Sequence, residues 1–445
     1  MAATFVSAVA LGTADPVHAG EGPEPGAWPG AQPSEASAGT RREAPAASTL
    51  RSPTLVDTPL RAMLSSALDS HPAVRAGRMR ADAGRLDVRA AERQRWPSPS
   101  LAVNAGDGPT ATEFRLTQPL WDWGRTNARV DAAQARADAS AADVDAVRQS
   151  VAMEIVEAWR AWAGGRAREQ ALAADLSRLA QYARRAQARQ VVGYGAEADA
   201  SMVVMRLAQS RAEQSTAQAT QASALARLRS LGVATPTWIP PASTSAGASP
   251  SPGDDVLVDG AVESSATLER LRRDAEAAQA EVDQLAAQRW PTVNAVYVRQ
   301  HTTGGATTAS SDSRVMLTLE YVPGAWQAAA DAVRAARGRL AAAQVDMETA
   351  RSDIGKQVRA EIEVGRGLAA RIPSETLAAS TSTAVLESFE RQFDAGRKSW
   401  LDVLNAARDL TAAEVASAST RIEWLASRAR LAVLVDGAAS DGSAR

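Results

Sequence analysis

The hydrophobic pattern of this chain changes period several times, and it does so in the same order twice. From Leu60 to Gln94 the apolar positions Leu60, Leu64, Ala67, Leu68, Val74 and Leu86 recur mostly at three- and four-residue spacings. That spacing predicts a helix with no internal breaker other than Pro72. After Arg95-Trp96-Pro97 the period drops to two. Leu101 to Ala105 alternates, Gly106-Asp107-Gly108-Pro109 makes a turn, and Thr112 to Leu120 alternates again. Residues 97–120 therefore read as a β-hairpin with strands of about nine residues. Trp121-Asp122-Trp123-Gly124 closes it. From Arg125 to about Gln190 there is no proline, and one helix of that length would run on the order of 100 Å. Val192-Gly193-Tyr194-Gly195 predicts a turn, and a shorter helix follows from about Ala198 to Leu231 with Gly232 as its cap.

The second half repeats this plan. A helix from Val256 to Arg289 reaches Trp290-Pro291, then come a strand from Thr292 to Gln300, a Thr/Gly/Ser loop, a strand from Ser313 to Val322, and Pro323-Gly324. The spacing from Gly324 to Gly396 matches that from Gly124 to Gly195, so both copies carry a long helix of one length. Pro373 is expected to kink or locally break the second one. The organisation is then a first repeat over 59–234 with its hairpin at 97–120, a Pro-rich linker over 235–255, a second repeat over 256–435 with its hairpin at 291–322, and a tail over 436–445. Residues 20–58, rich in Pro, Gly, Ser and Ala, predict a disordered or extended segment. Ahead of them, residues 1–19 contain an apolar run from Ala2 to Leu11 and a small-x-small triplet, Val17-His18-Ala19, as in a secretory signal segment, although no Lys or Arg precedes the run.

Composition narrows the class. Aromatics are only 4% and much of the 45% hydrophobic content is alanine, which suits close helix-to-helix seams rather than a bulky core. The 49 basic and 51 acidic residues interleave along the helices, and that balance argues against a nucleic-acid partner. With no cysteine, the sequence has no disulfide framework, thiolate metal site or cysteine nucleophile, and no cysteine for a lipid anchor. His18, His71 and His301 have no partner at a spacing that suggests a triad or metal site, so no catalytic, cofactor or metal residues are expected and the protein is not expected to be an enzyme. No run of 18 apolar residues predicts a transmembrane helix.

A hairpin alone is marginal in water, and an exposed one leaves open edge strands. Each predicted strand instead has the length and alternation to cross a membrane within a closed barrel, and with four strands per chain closure needs several chains. Trp96, Trp121, Trp123 and Trp290 stand at the strand ends in both halves, where indoles gather at a membrane interface. Two alternatives remain at this stage: solvent-exposed hairpins on a coiled-coil protein, and tryptophans that plug gaps between helices.

Two motifs carry a family resemblance. Gln118-Pro119-Leu120-Trp121-Asp122-Trp123-Gly124-Arg125 followed by Ala132-Ala133-Gln134-Ala135, and Arg391-Gln392-Phe393-Asp394-Ala395-Gly396 through Ser399-Trp400-Leu401-Asp402-Val403-Leu404, resemble signatures of the TolC-like outer-membrane efflux family. The resemblance spans nearly everything from Leu60 to Val435. It departs at Val322-Pro323-Gly324, which stands where the second copy would repeat the first signature, and in a first turn two residues shorter than the second. The resemblance implies an α+β fold of duplicated helix-strand-strand-helix repeats. As a homotrimer these would form a 12-stranded outer-membrane β-barrel continued by a long α-helical periplasmic barrel, in a Gram-negative bacterium. It implies a passive exit duct that meets outer-membrane lipid and docks onto a periplasmic adaptor and an inner-membrane ABC or proton-driven transporter. Adaptor contact falls on the turns, at Gly193, Gly195, Gly396 and Lys398. Acidic side chains near the end of the second long helix, Glu387, Glu390 and Asp394, match the family's aperture, and the i, i+3 glutamates would share a helix face. Type I protein secretion is the favoured branch, since many drug-efflux members resemble lipoproteins with an N-terminal cysteine. Drug or small-molecule efflux is the alternative, and a soluble periplasmic coiled-coil adaptor or scaffold is the competing class.

Overall fold

The structure, a computed structural model, describes residues 58–104, 110–192, 196–233, 236, 253–303, 310–321 and 326–435. The expected signal segment, nearly all of 20–58, the turn at 106–109, Gly193 and Gly195, most of the linker, Pro323-Gly324 and the tail lie outside the described residues. The chain forms two compact units. Residues 94–124 and 289–326 make one, and the helices make the other.

In the helical unit the single helix expected before each hairpin is in fact two. α1 (Thr58–Ser70) stops at His71 and α2 (Pro72–Arg93) follows; α5 (Asp254–Ser264) stops at Ser265 and α6 (Ala266–Ala287) follows. Both interruptions lie 25 residues before the tryptophan of the Trp-Pro pair, 71 against 96 and 265 against 290, so the break is itself duplicated. Each is a cap. Pro72 takes a first-turn position where a missing N–H is harmless, and His71 Nδ1 accepts the Ala73 amide at 3.3 Å. The Ser265 hydroxyl accepts the Leu268 amide at 3.2 Å.

The long helix α3 (Arg125–Val191) and the shorter α4 (Glu197–Ser230) close on the expected bounds within a residue or two. α2, α4, α6 and α8 (Trp400–Val435) all pack on α3. Its middle holds the largest apolar cluster, where Trp159, 1% exposed, meets Leu68, Ile155 and Leu228. Gly232, with φ of +90°, ends α4 and lets the Val233 amide reach back to Leu228 O at 2.9 Å. α7 (Trp326–Asp394) runs through Pro373 as one helix of 69 residues, so the local break is not found there. Val358, Ile372, Leu386 and Phe393 fall at multiples of seven along it and are all buried, while Pro373 lies on an exposed flank. The seam on either side holds the helix together across the proline, as packing commonly overrides propensity.

The other unit is one sheet. β1 (Ser98–Asn104), β2 (Thr110–Trp121), β3 (Thr292–Thr303) and β4 (Ser310–Glu320) lie in sequence order, and every neighbour is antiparallel. The two hairpins, one from each repeat, thus join through β2 and β3 into a single four-stranded sheet, with β1 and β4 as its edges. The strands run to 7, 12, 12 and 11 residues, and a register shift falls between Pro119 and Trp121, where a proline cannot donate to the ladder.

Candidate functional site

The register sorts the sheet's side chains into two unlike faces, because directly opposed residues share a face and neighbours along a strand do not. One face carries Pro99, Leu116, Tyr297 and Val315 in one row, Ala295 beside Leu317, and Val293 beside Leu319, while the next row sets Leu101 and Phe114 beside Arg299 and Ser313. The Phe114 and Tyr297 rings meet edge to face at 6.5 Å between centroids. The opposite face carries Ser100, Arg115, Val298 and Arg314 in one row and Ala102, Glu113, Gln300 and Asp312 in the next. Leu101, Phe114, Val315, Leu317 and Leu319 are all exposed on the single chain. An apolar face of this kind on a sheet with two open edges is a wall awaiting a non-aqueous neighbour and further strands. From Val293 to Tyr297 the apolar rows cover about 13 Å along β3, and Leu101 and Phe114 extend them by one more row on β1 and β2.

At one end of this sheet stand the aromatics singled out in the sequence. Trp121 pairs with Val293 at the end of β2, Trp96 precedes β1 by two residues and Trp290 precedes β3 by two. Trp96, Trp121, Trp123 and Trp290 are all exposed. Trp121 and Trp123 meet edge to face at 5.9 Å. The turn between them is tight: Trp123 has φ of +52°, Gly124 has φ of +81°, and the Gly124 amide donates to Asp122 Oδ1 at 3.1 Å. A left-handed pair of this kind accounts for the glycine at 124.

In the helical unit the turn from α7 to α8 is closely defined. Gly396, with φ of +73°, gives its amide to Phe393 O at 2.9 Å, and the Arg397 amide reaches Gln392 O at 2.8 Å, which closes the end of α7. Ser399 and Asp402 then form a reciprocal cap: Asp402 Oδ2 accepts from the Ser399 amide at 3.0 Å, and Ser399 Oγ accepts from the Asp402 amide at 3.3 Å. The Ser399 backbone and hydroxyl bonds, with Lys398 beside them, hold the Asp402 carboxyl below its usual range. Lys398 lies 3.8 Å from Asp402 and 4.4 Å above the Phe389 ring. Beneath the turn Trp400 stacks on Phe393 at 4.3 Å and on Tyr182 of α3 at 5.6 Å.

The two glutamates expected on one face have different company. Glu387 is exposed, with Arg391 4.0 Å away, whereas Glu390 accepts a short hydrogen bond from the Tyr182 hydroxyl of α3. Burial, and then that carboxylate, push the Tyr182 phenol well above its ordinary range. Asp394 is exposed at the end of α7. Sequence reading did not single out Tyr182, an aromatic at a helical spacing like any core residue. It also passed over the acidic-x-basic pairs Glu113-x-Arg115 and Asp312-x-Arg314, which were visible as a duplicated signal on the returning strand of each hairpin. Among the described residues no group of His, Asp and Glu side chains could hold a metal ion, and no helix is long and apolar enough to cross a membrane.

Comparison with known proteins agrees with this arrangement. A family described as outer membrane efflux protein matches residues 63–232 and 257–437, one match for each repeat. Among solved structures, the outer-membrane channel OprN is similar at 19% identity and a TM-score of 0.74, covering 86% of this chain and 90% of that one. The CmeC outer membrane channel of Campylobacter jejuni matches at 14% identity and a TM-score of 0.72, over 87% and 88% of the two chains. The outer membrane protein VceC of Vibrio cholerae matches at 18% identity and 0.69, over 85% and 96%. No curated protein matches the sequence.

Proposed function

This chain belongs to the outer membrane efflux protein family, and from that premise we propose that it is the outer-membrane channel of a tripartite export system. It is a passive conduit in the outer membrane of a Gram-negative bacterium, with its helical unit in the periplasm. Three chains assemble, and their sheets close through the β1 and β4 edges into a barrel of 12 strands. The observation that carries this reading is the predominantly apolar face, to which all four strands contribute large apolar side chains, on a sheet with both edges open. A lipid-facing wall needs that alternation, and only closure satisfies its edge amides in a membrane. Trp96, Trp121, Trp123 and Trp290 sit at the interface level.

Glu387, Glu390 and Asp394 line the aperture of this duct, and the turns at Gly193, Gly195, Gly396 and Lys398 meet a periplasmic adaptor that links the channel to an inner-membrane transporter, ABC-type or proton-driven. For cargo, type I protein secretion is the first reading and drug or small-molecule efflux the second. Deleting the gene separates the two, since loss of a secreted polypeptide from the medium supports the first and drug accumulation in the cell supports the second. The channel itself is tested by membrane fractionation and detergent gels. Heat-resistant trimers in the outer membrane that open pores in planar bilayers are expected, and a monomer recovered from the soluble periplasm would overturn the assignment.

A further inference from the structure

Four charged residues on the polar face of the sheet are arranged by the duplication, while Glu320, opposite Thr292, stands alone at the tryptophan end of that face. β2 carries Glu113 and Arg115, and β4, its counterpart in the second hairpin, carries Asp312 and Arg314, in each case acid, one residue, base. The register aligns them across the sheet. Arg115 and Arg314 both face Val298 from opposite sides, and Glu113 and Asp312 both face Gln300. The result is one row with two arginines and an adjacent row with two carboxylates, the backbone positions about 7 Å apart along the strands while the charged ends lean together. Arg115 bonds its own strand's Glu113 at 2.6 Å, and Arg314 lies 3.8 Å from Asp312. Arg115, Asp312 and Arg314 keep about half or more of their side-chain surface exposed, so these are solvated pairs whose stabilising effect on the sheet is small. Val298 between the arginines is 2% exposed, so the apolar atom surface in the row is covered while the charges are not.

We infer that these four residues form the charge filter of the channel: a ring of arginines and a ring of carboxylates stacked along the bore, with the chemistry to favour solutes that carry separated positive and negative charges over simple ions of either sign. The inference rests on the barrel reading above, which puts the polar face toward the lumen. Three chains then supply six bases in one ring and six acids in the next. The two rings cancel in net charge, so neither cations nor anions gain from the pair as a whole. Each charge is compensated by its partner on the same strand, and removing either row uncovers the other. A zwitterion, or a polypeptide segment with alternating charges, can meet both rings at once.

The test is the reversal potential of single channels under a salt gradient. It is run near 0.1 M salt, where screening extends only about 10 Å, and repeated at 1 M. Removing the basic row with Arg115→Gln and Arg314→Gln is expected to move the cation-to-anion permeability ratio toward cations by about twofold or more at low salt, and removing the acidic row with Glu113→Gln and Asp312→Asn is expected to move it toward anions. Neutralising both rows should return the ratio to that of the unmodified channel, which also serves as the folding control. At 1 M salt all three shifts should shrink. Variant pores that open normally with an unchanged ratio would overturn the filter and leave the channel standing. If even the unmodified protein opens no pore, it is the channel reading that fails.

Discussion

α3 and α7 hold equivalent places in the two repeats and are nearly equal in length, 67 and 69 residues, yet they are buried in different ways. α3 is surrounded, with α2, α4, α6 and α8 packed along it. α7 is buried along one seam and leaves Val345, Leu377 and Val385 exposed. Duplication of a sequence plan has thus preserved element order and length, and α7 meets α6 and α8 as α3 meets α2 and α4, while α3 also takes α6 and α8 of the other repeat. One long helix organises the chain, and the other presents an open flank. The largest test of this difference is truncation of a large side chain on each. Trp159→Ala on α3 should cost roughly 3–5 kcal/mol, because a fully buried indole leaves a cavity. Leu377→Ala, at a position 67% exposed, should stay within about 0.5 kcal/mol in the monomeric chain. Urea titration of the helical circular-dichroism signal measures both, on refolded chains that gel filtration shows to be monomeric. Equal losses would mean that the two helices are equivalently packed after all.

A smaller and more local test uses glycine. A Cβ at Gly165 on α3 would meet the Gln221 backbone nitrogen of α4 at 3.2 Å, so the two helices approach too closely there for a side chain. On α7, a Cβ at Gly367 meets nothing within 4 Å. Gly165→Ala should therefore destabilise by about 1–3 kcal/mol through overpacking, whereas Gly367→Ala should stabilise by up to about 1 kcal/mol through helix propensity alone. Opposite signs in the same unfolding experiment are expected. A gain at both sites would remove the claim that α3 is the tightly packed member.

The same contrast explains what could be read from the sequence and what could not. Periodicity placed the long helices and all four strands, since their signals are local: an absence of proline from Arg125 to Val191 and alternation in the hairpins. It missed the breaks at His71 and Ser265 because a cap is a single side chain, and Ala, Arg and Asp continue the helical pattern on both sides. It allowed a break at Pro373 that does not occur, because the seam formed by Ile372, Leu386 and their neighbours is a tertiary fact. At the candidate site, the tryptophans and the Gly396 turn were legible as punctuation. The difference between Glu387 and Glu390 was not, since it depends on Tyr182, more than 200 residues away along the chain. Nor was the joining of the two hairpins through β2 and β3, for which each strand's own pattern is silent.

The least effect is expected where the two repeats begin their shorter helices. α8 opens on the Ser399–Asp402 cap, while α4 opens on Ala196, which offers no side-chain cap at all. Ala196→Ser should therefore gain about 0.5–1 kcal/mol, and Ser399→Ala should speed hydrogen exchange of the first-turn amides of α8 roughly fivefold without altering α4. Acid sharpens the contrast. The Asp402 carboxyl is held below its ordinary value chiefly by the Ser399 amide, so its contribution is present above the unfolded carboxyl pKa of about 3.9 and is lost as pH falls through the lower folded value. The protection factors at the start of α8, which correct for the pH dependence of intrinsic exchange, should fall below about pH 4 in the unmodified protein and stay flat in Asp402→Asn, with α4 unaffected in either. An acid response that persists in Asp402→Asn would assign the titration to another group and leave the two turns alike in their capping.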